Sequence, residues 1–105
     1  MEITTLHTLS FKEILNYIEE HYQSNPSAFK NGELQNSEDE NQGSAKTLFF
    51  AQLNNLSKED ALKLFAEHYQ SVLEDLNGTS HQNIRNFMKH GWDGVVFENE
   101  VLKAK

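Results

Sequence analysis

The stretch Asn77–Phe97, N-G-T-S-H-Q-N-I-R-N-F-M-K-H-G-W-D-G-V-V-F, carries a turn, a helix, a glycine stop and a strand in one run. Asn77-Gly78 is a stop signal for whatever precedes it. Thr79 and Gln82 have capping-box spacing, which predicts a helix from Thr79 or Ser80. Ile84, Phe87 and Met88 recur at helical spacing and form a narrow apolar face. Lys89 and His90 suit the negative end of the helix dipole. Gly91 fits the left-handed position after a helix, and Trp92 then packs back near Phe87, largely buried. Val95, Val96 and Phe97 are β-branched or aromatic and predict a strand. Val101 and Leu102 predict a second strand, paired with the first through a turn at Asn99-Glu100.

Upstream, the helical signals dominate. Ser10 and Glu13 have capping-box spacing, and Leu9 and Ile14 that of a hydrophobic staple. Phe11, Ile14, Leu15, Ile18 and Tyr22 follow at helical spacing, and Ser24-Asn25-Pro26 ends that helix because the residue before proline avoids the helical region. Asn31-Gly32 predicts a tight turn of type I′ within a short hairpin that includes Ala28, Phe29 and Leu34. Asn36–Gly43 is the most polar run and predicts a loop. Gly43-Ser44 opens a second helix to about Leu53, with Ser44 as its N-cap. Leu48, Phe49, Phe50, Ala51 and Leu53 occupy more than one face of it, so it packs on two sides. Ser57 and Asp60 start a third helix, whose inner stripe is Ala61, Leu62, Phe65, Tyr69 and Val72. The expected fold is α+β: about four helices with a small antiparallel sheet near the C-terminus, in one domain over residues 1–105.

Composition bounds function. The chain has 105 residues, a formal net charge of −7 and no cysteine. Such a surface repels nucleic-acid phosphate and anionic membranes, and no stripe of Lys and Arg offsets it. Without cysteine there is no disulfide, thiolate nucleophile, zinc-thiolate site or iron–sulfur cluster. Small secreted domains usually carry disulfides, so an intracellular working place is expected. No apolar run approaches the roughly 20 residues of a membrane span. Met1–Leu9 has neither a basic flank nor a long apolar stretch, so it does not have the form of a secretory signal.

Each familiar motif fails on inspection. With Gly43 at the sixth position of a calcium loop, Phe49 would occupy the twelfth, where a bidentate Glu is required. Gly43-Ser44-Ala45-Lys46-Thr47 has Ala45 where a phosphate loop needs glycine before the lysine, and no earlier glycine stands at the needed offset. The five histidines (His7, His21, His68, His81 and His90) include no H-E-x-x-H pair, and no metal or cofactor is expected. There is no G-x-S-x-G elbow and no dinucleotide fingerprint. Ser44, His81 and an acid of residues 38–40 could be drawn as a triad, but those residue types occur in almost any chain. No catalytic residue is assigned.

Two segments concentrate polar residues at helix starts: Asn41, Ser44 and Lys46 in one, His81, Asn83 and Arg85 in the other. Helix starts carry free backbone amides that favour anions. These six residues are the candidate ligand-binding set. Ser44 and Lys46 are expected on one wall of a cleft and His81, Asn83 and Arg85 on the other, with Lys46 and Arg85 as its cations. The competing reading is structural: the same residues cap helices and tie the acidic loop to the core.

Several segments together resemble the HopJ type III effector family. They are F-K-N-G at Phe29–Gly32, N-Q-G-S-A-K-T-L-F-F-A-Q-L at Asn41–Leu53, L-S-K-E-D at Leu56–Asp60, and the Asn77–Phe97 run followed by L-K-A-K. The resemblance spans nearly the whole chain in order. It implies a bacterial protein passed into host cells by type III secretion, and it carries over no catalytic residue. Two readings follow. One is a non-enzymatic effector-type module that binds a host or bacterial protein. The other is a resident domain of the bacterial cytoplasm that binds a small polar or anionic ligand. An enzyme is a third class, and a polar cleft is where one would be sought.

Overall fold

The computed structural model describes residues 3–105. Met1 and Glu2, the first residues of the stretch weighed as a signal sequence, lie outside them. A short helix α1 (Ile3–Leu6) precedes α2 (Phe11–His21); β1 (Tyr22–Ser24), β2 (Phe29–Asn31) and β3 (Leu34–Asn36) follow. Then come α3 (Gln42–Leu53), α4 (Lys58–Lys63), α5 (Glu67–Glu74) and α6 (Gln82–His90). A 3₁₀ turn at Gly91–Gly94 leads into β4 (Val95–Phe97), and β5 (Leu102–Ala104) ends the order. Four helices among the described residues, α2, α3, α5 and α6, have eight residues or more. With two small antiparallel sheets, the fold is α+β as expected.

The strand pairing corrects the sequence reading. Val95–Phe97 does not pair with the strand that follows it. β4 pairs with β2, in a sheet of order β3-β2-β4, while β5 pairs with β1 in a separate two-stranded sheet. Tyr22–Ser24 is therefore strand rather than the end of a helix, and α2 stops at His21 because Tyr22 turns to extended backbone at φ −133° and ψ 147°. In the hairpin between β2 and β3, Gly32 alone has positive φ, at +63°, and Glu33 does not. That excludes type I′ and matches the pattern of type II′, with glycine first. Gly32 N–H donates to Gly94 O at 2.9 Å, and a side chain on Gly94 would strike the Gly32 backbone.

Two helix starts are as expected. Ser10 caps α2 in a complete capping box: Glu13 N–H donates to Ser10 Oγ at 3.2 Å, and Ser10 N–H donates to Glu13 Oε1 at 3.0 Å. A cap of this kind is worth about 1 kcal/mol. The Ser10 N–H, and then the Ser10 hydroxyl, hold the Glu13 carboxyl below the usual carboxylate range. Phe11 N–H donates to Glu67 Oε1 at 2.8 Å, which lowers the Glu67 carboxyl likewise and ties the start of α5 to that of α2. Ser57 caps α4.

The other helix boundaries differ. The expected third helix is broken into α4 and α5, because Ala66 sits at φ 52° and ψ −122°. Its second half ends at Glu74, before Asn77-Gly78. α6 starts at Gln82, later than Thr79 or Ser80, and Gln82 Nε2 reaches back to Thr79 O at 2.5 Å. Ser44 is not a cap: α3 begins at Gln42 and Asn41 is its cap residue.

The core is continuous. Ile14 and Ile18 of α2, Leu48 and Ala51 of α3, Leu64 and Phe65 near the α4–α5 break, and Phe87 of α6 are buried together. α3 buries Ala45, Thr47, Leu48, Phe50 and Ala51, which span more than one face as predicted. Trp92 meets Phe87 edge-on, with centroids 4.9 Å apart and an interplanar angle of 76°. Its indole packs against the core with only a minor part exposed, as expected, and Nε1–H donates to Leu56 O at 3.0 Å.

Candidate functional site

The starts of α3 and α6 open on one cleft. Its volume is about 550 Å³, and its lining includes Asn41, Gly43, Ser44, His81, Gln82 and Asn83, with Phe11, Leu34, Phe65, His68 and Ile84. Four of the six expected residues thus converge: Asn41, Ser44, His81 and Asn83. They come from parts of the chain that the hairpin and two helices separate.

The two expected cations are elsewhere. Lys46 Nζ lies 2.8 Å from Glu19 Oε1 on α2, one turn along α3 from the cleft. Arg85 turns toward the α5–α6 connection, where Nε donates to Ser80 O at 2.5 Å and one terminal nitrogen to Leu76 O at 3.2 Å. There it ties Ser80 and Leu76 to the start of α6. No Lys, Arg, Asp or Glu side chain is in the cleft lining.

Both helices start in an unusual way. Asn41 (φ 52°, ψ 37°) and His81 (φ 51°, ψ 54°) are left-handed, and neither side chain caps its helix. Asn and His tolerate this conformation better than most residues. The first amide of each helix with a helical partner is Ala45, to Asn41 O, and Arg85, to His81 O. The amides just before them are the orphan donors that every helix start leaves. At α2 and α4 a serine takes up one of them; at α3 and α6 no side chain does.

An asparagine network backs two of the lining residues, Asn41 and Asn83. Asn83 is 5 % exposed, Asn36 1 % and Asn31 fully buried. Asn83 and Asn36 exchange amide hydrogen bonds at 3.1 and 3.2 Å. Asn31 Nδ2 donates to Asn83 O at 2.7 Å and to Asn83 Oδ1 at 3.0 Å. Asn41 Nδ2 donates to Asn36 Oδ1 at 2.8 Å, which spends the Asn41 side chain on the hairpin instead of on its own helix. The network fixes the hairpin, α3 and α6 relative to one another.

Sequence reasoning missed Asn31, Asn36, His68, Phe11 and Phe65. For the first there was a signal: period-two alternation puts Asn31 on the same face as Phe29, and β2 shows that buried–exposed–buried pattern. His68 had none, since it approaches His81 only through the break at Ala66. Among the described residues no group of three or more His, Asp or Glu is placed to hold a metal ion, and no helix is long and apolar enough to cross a membrane.

The HopJ type III effector protein family model matches residues 2–102. The chain belongs to the HopJ family. It is also similar to a solved crystal structure of the unknown-function protein VPA0580, with 42% sequence identity and a TM-score of 0.91. That match covers 95% of this chain and 84% of the other. No curated protein matches the chain. The HopJ match includes the hairpin, both uncapped helix starts and all four asparagines of the network.

Proposed function

We propose that this chain is a type III effector of the HopJ kind that acts by binding, with the cleft as its binding surface. The family match over residues 2–102 supports this reading. Its test is a whole-chain fusion to a reporter that is active only inside host cells. Signal should appear with a working type III apparatus and vanish in a strain that lacks one. Retention of the fusion in both strains would sink the export role and leave a resident bacterial protein.

The cleft supports a second, more specific reading that holds in either location: it takes a small ligand bearing a carboxylate or phosphate. The observation behind it is that two helix starts without side-chain caps open on one cleft free of acidic side chains. Orphan amides and the positive ends of two dipoles favour an acceptor there. The site offers no fixed cation, so affinity rests on amide donors. In an NMR titration, acetate should shift the backbone amides of Gly43, Ser44, Asn83 and Ile84 together, and shifts scattered over the surface would refute it.

A further inference from the structure

Four rings run in sequence along the cleft. Phe65 stacks on Phe11 with centroids 5.7 Å apart and planes 12° apart. Phe11 meets His68 edge-on at 5.0 Å, and His68 meets His81 at 4.9 Å with a tilt of 37°. Burial falls along the row: Phe65 is buried, Phe11 and His68 are half-buried, and His81 is exposed. Neither imidazole makes a hydrogen bond among the described residues. Their ring nitrogens are therefore available, and His81, exposed at the end of the row, has His68 as its one ring partner among the described residues.

Such a row is not needed to hold the core. Phe65 and Phe11 already close it, and an exposed His81 adds no buried area there. His81 also occupies a left-handed position that asparagine or glycine would fill with less strain. What the His68–His81 pair adds is a flat, polarisable surface beside the polar lining residues Asn41 and Asn83. A third ring can extend the row, since aromatic pairs favour offset or edge contacts at centroid distances of 4.5–7 Å.

We infer that the cleft selects a ligand with a flat aromatic ring, which lies against His81 and His68 at the open end of this row. The inference rests on the reading of the cleft as the site of a small acidic ligand, and so names its class as an aromatic carboxylic acid. The large negative charge of the chain opposes polyanions, whereas a single carboxylate fits a site without fixed cations.

The test compares benzoate with cyclohexanecarboxylate, which has the same charge and a similar size but a puckered, saturated ring. Side-chain resonances of His68 and His81 are followed by NMR during titration of the whole chain. Benzoate should bind more tightly by roughly three- to tenfold, the ratio expected from one aromatic contact. It should also shift both imidazoles by ring current, which the saturated acid cannot do. Equal affinities without a ring-current shift would overturn the inference and leave the acidic-ligand reading intact. Absence of binding by either acid would overturn both. His81→Asn keeps a residue suited to positive φ and removes the ring, so it should bring the two acids level; a preference that survives this change would also overturn the inference.

Discussion

Phe87→Ala should lower the stability of the chain by about 3–5 kcal/mol, the usual cost of truncating a buried phenylalanine. Phe87 is fully buried at the centre of the apolar face of α6. Its ring gives the Trp92 indole its edge-on partner, and Trp92 in turn ties the 3₁₀ turn to Leu56 between α3 and α4. Removal of the ring leaves a cavity and frees the indole. The 3₁₀ turn that feeds β4 would then loosen, and with it the edge of the larger sheet. A loss of this size is a large share of the roughly 5–15 kcal/mol that holds a small domain together. Urea unfolding followed by Trp92 fluorescence measures it directly, because this is the only tryptophan in the chain. A midpoint close to that of the parent chain would show that the site collapses around the missing ring and that Trp92 is anchored elsewhere.

Asn83→Ala should cost roughly 2–4 kcal/mol, although it removes no large apolar group. The Asn83 amide is the shared partner of Asn31 and Asn36, both of which are buried. A buried polar group that loses its partner costs about 1–3 kcal/mol. Some relief remains: Asn31 Nδ2 keeps the Asn83 carbonyl, and Asn36 Oδ1 keeps Asn41. The relief holds the loss near the middle of the range. Gln82→Ala is the control. Gln82 is exposed one residue earlier on the same helix, and its loss should stay within about 0.5 kcal/mol. Similar denaturation midpoints for the two variants would mean that water replaces the Asn83 amide and that the network does not set the geometry of the cleft.

The site was half legible in advance for a physical reason. Asn41, Ser44, His81 and Asn83 stand at helix starts, and helix starts are written locally in turn and cap chemistry. Their convergence also required the two starts to meet, which they do. Lys46 and Arg85 were placed by sequence proximity alone. A long cationic side chain goes to the best acceptor in reach, and those acceptors lay outside the cleft: Glu19 on a neighbouring helix for Lys46, and the carbonyls of a preceding turn for Arg85. Neither partner can be read from the residues beside it.

The sequence by itself determined the α+β class, the capping box at Ser10, the cap at Ser57, the two-sided burial of α3, the hairpin at Gly32, the strand at Val95–Phe97 and the family. Each is set within a few residues, by periodicity, by a cap hydroxyl or by glycine, or by a long run of residue identities. Only the tertiary structure decided which strands pair, where the third helix breaks and which rings meet. β4 joins β2 and β5 joins β1 because strand edges take partners from distant parts of the chain. The third helix breaks where Ala66 takes positive φ, although Phe65 and Val72 are both buried and share the helical spacing that predicted one stripe. That break brings His68 to His81 and makes the row of rings, a contact between residues whose local sequences carry no sign of each other.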